Sequence, residues 1–172
     1  ISVGSTSNPT SSTPAGSGYF DYTDRLQVGT GINVEDWCVF FNFLQSTPPS
    51  GVSSSILAST MSNPNDTSGV NIGLNAANKV YVDFINSSGN RQTYVHSQEL
   101  SNFNNLVSVG KDGESLEIIY HDFINDKNDL EVFDVSGAKN STDWFIGAMP
   151  TMYGGYTGFS GYFDDILITK GG

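Results

Sequence analysis

The sequence predicts an all-β chain, a sandwich or barrel of antiparallel strands, and two observations carry that prediction. Apolar and β-branched residues come in short runs broken by turn residues about every 8–12 positions. No segment sustains the 3.6-residue apolar period of an amphipathic helix. No repeat of fixed period is visible either, which argues against a solenoid or propeller.

At 172 residues the length suits one domain. A sandwich of that size buries roughly 68–70% of its unfolded surface, so it needs no disulfide to hold it. Hydrophobic residues make up 37% and aromatics 12% of the chain, ample for a packed core.

Residues 1–18 are rich in Ser, Thr, Gly and Pro, and from residue 2 onward they carry no charge and almost no apolar bulk. Such a stretch cannot offset its ordering entropy by burial and is expected to be a linker or stalk. An edge strand laid on the sandwich is the alternative. Its start, Ile1-Ser2-Val3-Gly4, lacks Met and is no signal peptide, so a processed or excised piece of a longer protein is expected.

The folded domain is expected over 19–172. Tyr19 to Val28 predicts one or two short strands. Trp37 to Leu44 is almost continuously apolar, the pattern of a central strand covered on both faces. Pro48-Pro49-Ser50-Gly51 stops it. Strands follow at Ser55–Thr60, Val70–Leu74, Lys79–Ile85 and Gln92–His96, with turns at Asn75–Asn78 and Ser87–Asn90. Gly110 to Glu114 predicts a hairpin between Leu106–Val109 and Leu116–Tyr120. Leu130–Val135, Trp144–Gly147 and Gly161–Ile168 complete the set, and a Gly/Tyr/Met-rich loop fills Ala148 to Ser160.

Charge excludes several partners. Seven Lys+Arg stand against 18 Asp+Glu, a net charge of −11. Nucleic-acid backbones are repelled, because affinity for them comes from basic residues that release counterions. Anionic membrane surfaces are disfavoured for the same reason. No apolar run approaches the roughly 18 residues of a membrane-spanning helix, so no membrane insertion is expected. Cys38, the only cysteine, cannot form an internal disulfide or a zinc cluster.

In order and spacing these parts resemble the laminin-G-like, concanavalin A-like jelly roll of the lectin and glucanase superfamily. Phe40-Phe41-Asn42-Phe43 resembles the early F-x-x-x-F-W strand, and Ile56-Leu57-Ala58-Ser59 its I-L-S strand. Val70–Leu74 with Lys79–Phe84 resembles the following hairpin. Leu106 to Tyr120 resembles the W-H-H-V-A-V-T-x-D-G hairpin, with Asn104-Asn105 where Trp-His is usual. Phe159-Ser160-Gly161-Tyr162-Phe163-Asp164-Asp165-Ile166-Leu167-Ile168 resembles the closing F-S-G-x-I-D-D-V-R-I-Y strand. The resemblance runs from about residue 19 to 170 and implies a two-sheet antiparallel jelly-roll sandwich, in a divergent member. It further implies that the Asp pair is structural and that calcium sites occur in some members only.

Catalysis is not expected. Asp164 and Asp165 are adjacent, and strict strand alternation would aim them at opposite faces. The Glu-x-Asp-x-x-Glu and Glu-x-Asp-x-Glu patterns of retaining glucanases on this fold are absent. His96 and His121 have no zinc spacing around them, and no Gly-x-Ser-x-Gly elbow or P-loop occurs.

No motif requires a cofactor. Asn63-Pro64-Asn65-Asp66 and, more densely, Asp122 to Asp129 offer oxygen donors that suit Ca²⁺, with Asp122, Asp126, Asn128 and Asp129 as candidate ligands. Ordinary turn chemistry accounts for the same residues. Met149 to Phe159 combines glycines, which let a ligand approach, with aromatic rings that stack on the apolar faces of sugars. Tyr153 and Tyr156 are candidate ligand-binding residues, with Trp144 behind them. Alternatively the loop folds down on its own aromatics and closes one end of the sandwich. Asn65, Asn86 and Asn140 lie in glycosylation sequons.

Together these features predict a non-catalytic carbohydrate-recognition or adhesion module, extracellular or on a virion surface. Its partners would be a cell-surface glycan and other subunits of a larger assembly. The alternatives are a decoration or knob domain with no glycan ligand and a glycan-degrading sandwich enzyme.

Overall fold

The computed structural model describes residues 18–28, 36–46, 53–101, 104–122, 125–137 and 143–170. Most of the stalk expected over 1–18 lies outside them, as do Asn140 and the Pro48–Gly51 stop. Thirteen strands follow in order: β1 Gly18–Phe20, β2 Leu26–Val28, β3 Trp37–Gln45, β4 Ser54–Ser59, β5 Val70–Asn75, β6 Lys79–Ile85, β7 Arg91–Glu99, β8 Asn105–Asp112, β9 Ser115–Asp122, β10 Lys127–Asp134, β11 Trp144–Ile146, β12 Tyr156–Gly158 and β13 Gly161–Lys170.

They form two facing sheets. Sheet A runs β1-β13-β3-β8-β9-β10, and sheet B runs β2-β11-β4-β5-β6-β7 with β12 also paired to β4. Every pairing is antiparallel except β12 with β4. The long jumps from β1 to β13 and from β3 to β8 are the crossovers of a jelly roll, and the all-β sandwich expected from the sequence is what forms.

The core lies between the sheets. Val39, Phe41, Phe43, Val107, Val109, Leu116 and Ile118 from sheet A meet Leu57, Ile72, Leu74, Val80, Val82 and Phe84 from sheet B. Two-residue side-chain alternation selects these sets from each strand. Trp37 and Trp144 meet edge to face across this core, with ring centroids 5.4 Å apart.

Two strands differ from the sequence reading. β3 lies inside sheet A between β13 and β8, but only Trp37, Val39, Phe41 and Phe43 are buried. Cys38, Phe40, Asn42 and Leu44 are half-buried on the outer face, so the apolar run is covered on one face rather than two. In β13 the pairing with β3 shifts between Phe163 and Asp165. This bulge opposes two residues to one, so Phe163 and Ile166 both reach the core while Asp164 and Asp165 both remain outside it. Alternation therefore does not separate the two carboxylates. Asn42 Nδ2 donates to Asp164 Oδ2 at 3.2 Å and ties the bulge to β3.

Candidate functional site

The outer face of sheet B carries a second layer built by the segment between β11 and β12. Gly147 N–H donates to the Leu57 carbonyl, and the chain then leaves the edge of β4. It returns where Tyr156, Thr157 and Gly158 pair in parallel with Ser54, Ser55 and Ile56. Phe159 N–H donates to the Gly147 carbonyl at 2.6 Å and closes the excursion at its neck. Met149, Met152 and Tyr156 pack on Ile56, Met61 and Ile85 in a cluster separate from the main core. The loop thus folds onto a sheet face, not over an end of the sandwich.

At its tip Tyr153-Gly154-Gly155-Tyr156 makes a tight turn in which Tyr156 N–H donates to the Tyr153 carbonyl. Both central φ angles are positive, +67° and +85°, a conformation glycine adopts without penalty. A Cβ on Gly155 would lie 2.5 Å from Ser53 Oγ. The turn presents both tyrosines beside one hollow of about 490 Å³. Tyr153 is 42% exposed and Tyr156 half-buried.

The opposite wall is the loop after β4. The Asp66 carboxylate accepts from the backbone of Ser62 and Asn63 and from the Asn63 side chain. Arg91, at the start of β7, holds this loop to the sheet: Nη2 donates to the Pro64 carbonyl at 2.7 Å and the Asp66 carbonyl at 3.2 Å. Tyr153 Oη bridges the walls with a 2.9 Å hydrogen bond to Asn63 Oδ1. Ile85, Asn65, Thr67 and Gly154 also line the hollow.

Beneath the hollow lies a buried polar set on β6. Tyr81, Asp83 and Ile85 alternate with core-facing Val80, Val82 and Phe84, and all six are buried because the loop covers the outer three. Asp83 Oδ1 accepts from Thr93 Oγ1 at 2.5 Å, while Oδ2 lies 3.6 Å from Arg91 Nη1 and 3.5 Å from Tyr156 Oη. Burial, reinforced by the Asp83 charge, pushes the Tyr156 phenol above its ordinary pKa, so it stays a neutral hydroxyl. Burial does the same more strongly to Tyr81, which hydrogen-bonds Ser54 and Asn71. Its ring lies over Gly73 of β5, where a Cβ would meet the Tyr81 ring at 2.8 Å.

The candidate residues read from sequence divide as follows. Tyr153 and Tyr156 come together in the hollow. Trp144 does not: it is 0% exposed in the core against Trp37 and presents no surface to a ligand. Both faces of β11 are covered, and Trp144, Phe145 and Ile146 are all buried.

The four candidate calcium ligands split by strand register. Asp122 and Asp129 line one hollow with Lys127, whose ammonium is a competing counter-charge. Asn128 pairs with His121 on the other face, where its Oδ1 accepts from His121 Nδ1 at 2.7 Å, while the Asp126 carboxylate projects with 97% of its side chain exposed. Asp122 itself accepts from the backbone and side chain of Asn125 in a local turn. Among the described residues no three His, Cys, Asp or Glu groups cluster closely enough to hold a metal ion.

The histidines have structural surroundings. His96 is fully buried, accepts at Nδ1 from Gln98 N–H and faces the Asp129 carbonyl through Nε2. Of the sequons, Asn86 is 8% exposed with its Oδ1 taken by Asn90 N–H, whereas Asn65 stands exposed on the rim of the hollow. Nothing local in the sequence marks Arg91 or Ile85, because their partners lie on other strands and loops.

No family model matches the chain, and no curated protein matches it. Solved structures do. The chain has the laminin-G-like jelly-roll fold. Against the LG1-3 region of the laminin alpha2 chain the TM-score is 0.66 at 16% identity, over 87% of this chain and 30% of that one. Against domains LG4-5 of the mouse laminin alpha1 chain it is 0.60 at 9% identity, over 88% and 40%. The chain thus spans well under half the length of these laminin fragments. Against Ruminococcus gnavus IT-sialidase CBM40 bound to α2,3 sialyllactose it is 0.58 at 11% identity, over 85% and 89%.

Proposed function

We propose that this domain is a non-catalytic carbohydrate-recognition module whose ligand sits in the hollow between the Tyr153–Tyr156 turn and the Asn63–Thr67 loop. The observation that carries this reading is the exposed Tyr153 ring beside half-buried Tyr156 in a hollow of about 490 Å³, within the usual size of small-ligand sites. An aromatic face supports the C–H face of a pyranose, and the neighbouring amide and hydroxyls orient its hydroxyl groups. A fold shared with a sialyllactose-bound CBM40 supports the ligand class. The carboxylates nearest the hollow favour binding over hydrolysis: those of Asp66 and Asp83 are held by amides, hydroxyls and Arg91. The Ser/Thr/Gly/Asn-rich texture and scarce basic residues support a place on an extracellular or virion surface.

The test is a glycan array with the full chain and Tyr153→Ala. Because Tyr153 is exposed, the variant keeps its melting temperature and loses about 10-fold or more in affinity. Unchanged glycan binding by the variant removes the site assignment.

One observation favours a second reading, a structural domain that binds within its own assembly. Leu130, Ile119, Phe40 and Leu167 lie in one register row across the outer face of sheet A, interrupted only by Ser108. Leu130 and Leu167 are 51% and 52% exposed, and Val132, two residues along β10 from Leu130, is 55% exposed. Such a face marks an interaction surface. Stable oligomers in solution, dissociated by Leu130→Asp or Leu167→Asp and accompanied by no glycan binding, would favour it.

A further inference from the structure

We infer that the hollow selects neutral glycans and rejects acidic ones, an inference that rests on the glycan reading above. A sugar carboxylate is held most strongly by a cation with donors to spare. Arg91 is the cation lining the hollow, and both of its terminal nitrogens are engaged by protein atoms. Nη2 is held by the Pro64 and Asp66 carbonyls and touches Met61 Sδ at 3.8 Å, while Nη1 faces Asp83 Oδ2 at 3.6 Å. Turning the guanidinium to a ligand would unfasten the loop that forms one wall.

The charges at the site have the same sign preference. Asp66 lines the hollow and Asp83 lies beneath it, so two carboxylates stand against one guanidinium, a local balance of −1. The chain around them carries −11. A ligand carboxylate entering this field is repelled, and its desolvation is not offset by a free cationic donor.

What the hollow does offer is neutral. The Asn65 side-chain amide and Thr67 hydroxyl make no hydrogen bond to a described residue, and both line the opening. Tyr153 Oη donates to Asn63 and keeps its lone pairs as acceptors. With the apolar surfaces of Ile85 and the tyrosine rings, this donor and acceptor set matches the hydroxyl groups and C–H face of an uncharged hexose.

The experiment is an array of oligosaccharides printed as matched pairs, each neutral glycan beside its sialylated counterpart, probed with the full chain at low and high salt. The expected result is binding to a neutral member, about 10-fold or more above its sialylated partner. The gap narrows as salt rises while the neutral affinity holds. A sialylated member bound as tightly as or more tightly than its neutral partner, in a manner lost in Tyr153→Ala, overturns the selectivity and leaves the site standing. Binding to neither member of any pair overturns both.

Discussion

Removing the Arg91 side chain tests whether the site is held together as described. Arg91→Ala deletes two charged hydrogen bonds, to the carbonyls of Pro64 and Asp66, and the partner of Asp83. Charged hydrogen bonds contribute about 1.5–3 kcal/mol each when well formed. A buried carboxylate stripped of its partner costs about 3–5 kcal/mol. The Arg91 side chain is 29% exposed and that of Asp83 5%, so water reaches the arginine and the lower ends apply. The expected destabilisation is about 2–4 kcal/mol. Urea unfolding followed by the fluorescence of Trp37 and Trp144, both buried, measures it. Asp83→Asn combined with Arg91→Ala should cost less than the sum of the single changes by about 1–2 kcal/mol, because no unpaired charge then stays buried. Arg91→Lys should recover only part of the loss, since an ammonium cannot span the carbonyls and Asp83 as the guanidinium fork does. A cost for Arg91→Ala below about 0.5 kcal/mol, the range of an ordinary surface change, would refute the clamp.

Other outcomes follow from the same geometry. Gly73→Ala places a methyl group 2.5 Å from the Ser55 carbonyl oxygen and 2.8 Å from the Tyr81 ring; destabilisation of about 1–3 kcal/mol is expected in thermal or urea unfolding, and Tyr81→Phe does not relieve the contact with backbone. Because burial holds the Tyr81 proton above its ordinary pKa, the folded state binds more protons than the unfolded one once pH passes about 10. Stability is therefore full below that pH and falls above it, and tyrosinate absorbance in an alkaline titration should show one tyrosine ionising only as the chain unfolds. A chelator should leave the melting temperature unchanged, given the split of Asp122 and Asp129 from Asp126 and Asn128; a lowered melting temperature would restore the calcium assignment. Expressed where Asn-linked glycosylation operates, modification of Asn65 on the rim should block the hollow, and enzymatic removal of that glycan should restore binding.

Most of the sandwich was legible because its cues are local. Alternation marked β5 and β6, and the Asp112-Gly113 step marked the β8–β9 hairpin, whose Gly113 adopts φ +56°. The bulge in β13 also had a sequence signal, the three-residue step from Phe163 to Ile166 between core-facing positions, which strict alternation does not accommodate. β12 was not legible: Tyr156-Thr157-Gly158 is short and glycine-flanked, and becomes a strand only by pairing with β4. The aromatic loop pointed to Tyr153 and Tyr156, whereas Trp144 shows how a large ring near a ligand loop is placed by tertiary packing. Arg91 lay in the polar run Asn90-Arg91-Gln92, and its meaning depends on Pro64, Asp66 and Asp83, which sequence spacing does not bring together.

The neck between Gly147 and Phe159 has a consequence for how this surface can change. The chain departs and returns at almost one point on β4, with backbone hydrogen bonds sealing both ends. Lengthening such a segment costs only about 0.6 kcal/mol for each doubling, as long as the ends stay joined. The chain can therefore be lengthened at its exposed tip, around Tyr153 and Gly154, while Met149 and Met152 keep covering Ile56, Met61 and Ile85 and the thirteen-strand frame stays intact. Selection or engineering can then rewrite what the domain recognises without first solving again how it folds.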